Sequence, residues 1–230
     1  RQRQMGIRDR IDTNQFFEVE DFVKSYDANG INAPINCDFL HRESEFTETC
    51  TSIINNKVTI LTGASGIGKT RLALEVCRQQ DNGKTKVFCV KSNGNFLYED
   101  IKYYISDSGK YLIFFDDVNM VVSLDNVLDT ILTLPTDFDV KLLFSVRDYA
   151  KERVIDAVSR YVLPNIIEIG RFKDDEIKDI LKSDLEIVNP DYLKKIAEIA
   201  NGNIRLAFLA GMRSINDGYQ AIRNLSLIHI

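Results

Sequence analysis

From residue 57 onward, apolar runs of strand length alternate with stretches in which apolar residues recur at helical spacing. The runs at 58–61, 86–90, 111–115, 141–145 and 166–169 are short and nearly unbroken in hydrophobicity. Strands of this kind are covered on both faces, as in a parallel sheet. Helical spacing occupies 70–79, 97–105, 124–132 and 150–161, between successive runs. Crossovers of that length join parallel neighbours. The pattern predicts an α/β fold with a five-stranded parallel sheet and helices on both faces. After Gly170 the strand pattern stops, and helical patterns at 174–181, 190–200 and 204–212 predict a small all-helical unit. The expected division is a core over 34–170 and a helical subdomain over 171–224.

Residues 1–33 show no pattern strong enough to define a domain and are expected to be the tail of an upstream region or a linker. The last six residues, 225–230, resemble the translation of a sequencing adapter and are set aside as a non-native scar. An ordinary apolar segment whose continuation is missing is the other reading. Either way, the natural protein is expected to continue.

Composition narrows the function classes. With 230 residues, 44% hydrophobic and 27% charged, the chain falls in the ordinary soluble globular class. No apolar run is long enough to cross a bilayer, and the polar start differs from a signal peptide, so a cytoplasmic protein with no membrane partner is expected. The net charge of -5 counts against a surface that neutralises many phosphates, which makes nucleic acid an unlikely partner. Cys37, Cys50, Cys77 and Cys89 lie far apart without a Cys-x-x-Cys pair and are expected to be reduced thiols. No Ser-His-Asp set, metal-binding histidine cluster or dinucleotide fingerprint suggests other chemistry.

The candidate chemistry begins at Gly63-Ala64-Ser65-Gly66-Ile67-Gly68-Lys69-Thr70, which fits G-x-x-x-x-G-K-[ST] between a strand and a helix. Its glycines let successive backbone amides curl around phosphate oxygens, at the positive end of the following helix. Lys69 would reach the β and γ phosphates, and the Thr70 hydroxyl would occupy one position on Mg²⁺. Arg71 follows directly and joins the nucleotide-binding candidates. The bland reading is a glycine-rich turn before a helix.

A second element, Tyr111-Leu112-Ile113-Phe114-Phe115-Asp116-Asp117, is an apolar strand ending in two carboxylates, the form of a Walker B element. Asp116 would hold Mg²⁺, and Asp117 would orient the attacking water. Turn capping by Asp116, Asp117 and Asn119 is the alternative. A third strand, Lys141-Leu142-Leu143-Phe144-Ser145-Val146-Arg147, ends in a polar residue and an arginine.

With these elements in this order, the sequence resembles the STAND class of P-loop ATPases, NACHT- and NB-ARC-like relatives of the AAA+ machines with ASCE-type sheets. The resemblance implies that Arg147 senses the γ-phosphate, a role suited to its two-pronged guanidinium, although a surface arginine starting a helix would read the same. Ala200-Asn201-Gly202-Asn203-Ile204-Arg205 is similar to the family's Gly-x-Pro lid motif, with Ile204 where proline is usual. Arg205 resembles the second sensor of AAA+ lids, or is a solvent-facing helix arginine. Phe39-Leu40-His41-Arg42-Glu43 resembles the Gly-Arg-Glu segment that opens the ATPase module, with His41 in place of glycine. This implies that Arg42 brackets the base or ribose; a helix start with a solvated face is the alternative.

What the resemblance implies overall is an ATP/ADP- and Mg²⁺-binding switch. ATP hydrolysis would be slow, with Lys69, Asp117 and Arg147 acting on the γ-phosphate. Lid opening would lead to a homo-oligomer, with effector and sensor domains elsewhere in the full-length protein. Signalling, including bacterial defence against phages, is the class's usual setting. An AAA+-like DNA-loading ATPase and a non-hydrolysing nucleotide-binding scaffold are the competing readings.

Overall fold

The structure, a computed structural model, describes residues 15–27 and 37–216. The expected start of the core at Pro34, the end of the helical unit over 217–224 and the adapter-like residues 225–230 lie outside the described residues. All five anticipated strands are present, four of them longer than anticipated and the last shifted by one residue: β2 (Val58–Gly63), β3 (Thr85–Lys91), β4 (Gly109–Asp116), β5 (Phe138–Arg147) and β6 (Asn165–Glu168). A sixth strand corrects the expected count. β1 (Phe16–Phe17) pairs antiparallel with β3, on the edge of an otherwise parallel sheet in the order β1-β3-β4-β5-β2-β6. At two residues it is too short to register as a period in the sequence.

Side chains alternate across the sheet as a doubly covered parallel sheet requires. On one face Val58, Ile60, Tyr111, Ile113, Phe115, Leu142, Phe144 and Val146 share a core with α4 (Tyr98–Tyr104), α5 (Leu124–Leu132) and α6 (Lys151–Ser159). On the other, Leu61, Leu112, Phe114 and Leu143 share one with α1 (Val19–Asp27), α2 (Glu43–Asn55) and α3 (Lys69–Gln80). The register is set strand by strand, with Gly63 opposite Arg147 and Lys91 opposite Asp116. This brings the ends of β2, β4 and β5 to one edge of the sheet, where ligands bind in open α/β folds.

Two helices were not among the anticipated elements. The buried positions of α2 include Thr49 and Ser52, so its inward face is partly polar. Ser52 Oγ lies 2.7 Å from Thr59 Oγ1 of β2, and Asn165 Nδ2 donates to it at 2.9 Å. Helix α1 lies within the segment expected to be a tail, yet it buries Val19, Phe22 and Val23 in the sheet face. Glu20 accepts from Arg78 of α3 at 2.8 and 3.2 Å.

Beyond β6, α7 (Asp174–Leu185), α8 (Pro190–Ala200) and α9 (Ile204–Asn216) enclose a third core around Ile177, Leu181, Leu193, Ile196, Ala197 and Phe208. Asn189 caps α8, its side chain accepting from the amides of Asp191 and Tyr192, with Pro190 at the first helical position. Among the described residues no helix is long and apolar enough to cross a membrane.

Phe22 is 1% exposed and meets the ring of Phe114 edge-on at 6.1 Å between centroids. Phe22→Ala is expected to cost about 3–5 kcal/mol in urea unfolding, the usual range for a large buried aromatic. A change below about 1 kcal/mol would mean that α1 is not part of the core.

Candidate functional site

Between β2 and α3 the chain turns through residues 64–68, and the conformation depends on glycine. Gly63 has φ +141°, and a Cβ there would fall 2.5 Å from the Ile169 carbonyl oxygen. Gly66 has φ +79°, and a Cβ there would run into the side chain of Asn203. A loop of this shape, opening onto a helix N-terminus, presents backbone amides and dipole to an anion. Lys69 is buried and folds back so that Nζ donates to the carbonyls of Gly63 at 2.6 Å and Ala64 at 2.8 Å. Burial lowers its pKa, while Asp117 foremost pulls the other way. The Ala64, Ser65, Ile67 and Gly68 positions complete the loop, with Ile67 buried under it.

β5 lies between β2 and β4, so the acidic strand end must meet the phosphate loop across an intervening strand. Hydroxyls make the connection. Thr70 Oγ1 donates to Asp116 Oδ1 at 2.7 Å, and Ser145 Oγ donates to the same oxygen at 2.9 Å. Ser145 also accepts from the Asp117 amide at 2.8 Å. Asp117 is left-handed, with φ 45°, a conformation rarely adopted by residues with a Cβ. Its carboxylate takes both prongs of Arg147, from Nη2 at 2.6 Å and Nε at 3.3 Å. This bond holds the Arg147 pKa up, whereas burial first and then Asp117 raise that of Asp116.

Lys69, Thr70, Asp116, Asp117, Arg147 and Arg205 thus line one cleft. Its phosphate end is charged. Phe39, Leu40, Phe172, Ile180, Ile204 and Phe208 form an apolar slot in the same cleft. The donor set fits a triphosphate with a divalent cation: a glycine cradle, a buried ammonium, and a Thr70 hydroxyl beside the Asp116 carboxylate.

Arg42 and Arg71 line this cleft but are engaged with protein, whereas Arg205 reaches it from the helical unit. Arg42, placed by resemblance at the base or ribose, is buried and engaged with protein: Nη1 bonds Glu45 at 2.6 Å, and Nη2 bonds the carbonyls of Gly170 at 2.7 Å and Ile67 at 3.3 Å. Its guanidinium also lies 3.9 Å from the Phe172 ring centre. It is a strut between the loop and the start of the helical unit. Arg71 likewise donates to the Cys37 carbonyl at 2.9 and 3.2 Å and to Glu75 at 2.7 Å, bracing the slot wall. Arg205 lines the cleft, and its backbone amide donates to the Gly66 carbonyl at 3.1 Å.

Both departures from the family pattern have a structural counterpart. His41, where glycine is usual, has φ 60°, the left-handed region that glycine enters freely. Ile204, where proline is usual, begins α9, a position proline tolerates because its missing amide hydrogen is not needed there. The preceding Asn203 donates to the Ser65 carbonyl at 3.0 Å and accepts from the Leu206 amide at 3.1 Å. The helical unit therefore grips the phosphate loop directly.

Sequence reasoning missed Ser145 as the bridge, Asn203 as the clasp and Tyr26, which lines the cleft from α1. The polar residue at the end of the third strand was a visible signal for Ser145. Nothing local marks Asn203, because its partner is 138 residues away.

Burial raises the pKa of Asp116, so its ionised form opposes folding once the pH exceeds the unfolded carboxyl value, and the penalty is relieved as pH falls through the folded value. Asp116→Asn should therefore raise the thermal midpoint of the ligand-free protein at neutral pH, by an increment that shrinks toward acid. It should also abolish any tightening of nucleotide binding by Mg²⁺. A variant less stable than the parent at neutral pH would contradict this.

Residues 40–187 match the family described as Novel STAND NTPase 3. No curated protein sequence matches the chain. Among solved structures, it is similar to the Aeropyrum pernix ORC1 protein in complex with DNA, with TM-score 0.65 and 17% identity over 93% of this chain and 68% of that one. Cdc6p from Pyrobaculum aerophilum gives TM-score 0.60 and 16% identity over 90% and 68%. The Thermotoga maritima RuvB Holliday junction branch migration motor gives 0.57 and 16%, over 76% of this chain and 62% of its own. At such identities the likeness establishes a shared fold.

Proposed function

The chain belongs to the family described as Novel STAND NTPase 3, and on that footing we propose that it is the ATP- and Mg²⁺-binding switch module of a signalling ATPase, with slow hydrolysis coupled to movement of the helical unit. The observation that carries this reading is the bidentate bond between Arg147 and Asp117. The residue suited to sense a terminal phosphate and the residue suited to orient water are bonded to each other. Arg147 can satisfy Asp117 or a terminal phosphate oxygen, and engaging the phosphate leaves Asp117 free to orient water. With a diphosphate the pair persists and Asp117 stays neutralised.

Magnitudes support a latch of this kind. The Arg147 and Asp117 side chains are 40% and 30% exposed, and pairs of that exposure contribute only about 0.2–1 kcal/mol. The pair is therefore easily exchanged. Moving a two-state module from mostly closed to mostly open takes roughly 5.5 kcal/mol of differential binding. That larger share would come from Lys69, from the cation held by Thr70 and Asp116, and from the clasp of Asn203 and Arg205 on the loop. When bound, Mg²⁺-ATP supplies the scissile γ-phosphate and the charge that neutralises its developing oxygens. Lys69 would hold phosphate oxygens and Asp116 would fix the cation, while Ser145 holds Asp116 and the Asp117 backbone in place.

Opening of the helical unit would permit assembly into a homo-oligomer, with effector and sensor domains supplied by other parts of a longer protein. The setting is the cytoplasm, where ATP is supplied. ORC1 is described in complex with DNA; steeply salt-dependent DNA affinity of this chain would favour a DNA-loading role instead.

Arg147→Ala should weaken the binding of a non-hydrolysable ATP analogue by about 10- to 100-fold, the range for a hydrogen bond to a charged group, and leave ADP affinity nearly unchanged. Asp117→Asn should retain binding and lose turnover. Equal losses for both nucleotides in the first variant, or full turnover in the second, would remove the latch from the mechanism.

A further inference from the structure

One wall of the cleft comes from neither the phosphate loop, the acidic strand end nor the helical unit. It comes from α1, which precedes the residues that match the family. Tyr26 of that helix lines the cleft together with Lys69, Thr70, Asp116, Asp117 and Arg147. The helix is anchored to both halves of the phosphate machinery. Phe22 packs on Phe114 of β4, two residues before Asp116, and Glu20 takes both prongs of Arg78 from α3, the helix that begins at Lys69.

The Tyr26 ring is held on two sides. It stacks on Phe22 at 6.2 Å between centroids, and the Lys91 ammonium lies 5.0 Å from its centre. Lys91 is the register partner of Asp116, which places this pair beside the cation end of the site. The charges that the phenol feels belong to Asp116, Arg205, Asp117 and Arg147, all at the phosphate end of the cleft. Burial raises its pKa, so it remains a protonated donor throughout the neutral range.

We propose that Tyr26 is a nucleotide-binding residue whose hydroxyl donates to an oxygen of the terminal phosphate of a bound nucleoside triphosphate, which makes α1 a sensor of triphosphate against diphosphate. The proposal rests on the nucleotide reading given above. It adds a contact from an element whose sequence carries no nucleotide-binding motif, and a route by which whatever precedes α1 is coupled to the site. A diphosphate leaves the hydroxyl without that partner, while the packing of α1 is unchanged.

Tyr26→Phe keeps the ring, its stack and its cation contact, and removes only the hydroxyl. The affinities of ADP and of a non-hydrolysable ATP analogue, both with Mg²⁺, can be measured by displacement of a fluorescent nucleotide. Amide hydrogen exchange over Val19–Asp27 is followed in parallel. In the parent, the ATP analogue should protect α1 more than ADP does. In Tyr26→Phe, analogue affinity should fall about tenfold, ADP affinity should be unaffected, and the extra protection should disappear. Unchanged analogue affinity in the variant, or equal exchange of α1 under both nucleotides in the parent, would overturn the proposal while leaving the switch reading intact. A parent that binds neither nucleotide would overturn both.

Discussion

The site depends on one carboxylate oxygen, Asp116 Oδ1, accepting from two hydroxyls that arrive on different elements. With β5 inserted between β2 and β4, the phosphate loop and the acidic strand end are not neighbours in the sheet. Thr70 reaches Asp116 from the start of α3, and Ser145 reaches it from within β5. Without those bonds the carboxylate would be a buried charge with no hydrogen-bonded partner, which is far more costly than a satisfied one. The arrangement still leaves it with a raised pKa. Perturbed carboxyl groups of this kind cluster at functional sites.

Around that point the two halves of the molecule are joined by hydrogen bonds to backbone carbonyls, beside the packing of Cys37 and Leu40 on the helical core. Asn203 and the Arg205 amide hold the carbonyls of Ser65 and Gly66, and Arg42 ties Ile67 to Gly170. The helical unit has its own core around Leu181, Ile196 and Phe208. Its attachment to the phosphate loop, as a separately packed body, rests in part on those hydrogen bonds. Each of those is worth about 0.5–1.5 kcal/mol net.

Most of the sheet was legible because a buried parallel strand is an unbroken apolar run, and the Val58, Ile113 and Leu143 segments are such runs. The phosphate loop was legible because its glycines and lysine have a local chemical reason to be adjacent. Helix α2 was not, since it buries Thr49 and Ser52 against polar partners in β2 and β6. Helix α1 carried a readable stripe, Val19, Phe22, Val23 and Tyr26 at helical spacing, but one short amphipathic turn sequence far from any motif gives no hint of where it docks. Roles taken over from resemblance were least secure for long side chains. Arg42 and Arg71 occupy the expected neighbourhood, yet their nitrogens are taken by carbonyls and carboxylates that only the folded chain brings near.

The Asn203 side chain stands where a Cβ on Gly66 would be. The same missing carbon therefore serves two purposes, letting the loop curl around an anion and letting the helical unit close upon it. Position 66 is accordingly doubly constrained, since any side chain there would disturb both the left-handed turn of the loop and the seat of Asn203 upon it. Sequence drift at this residue would loosen the shape of the loop and its hold on the helical unit in a single step.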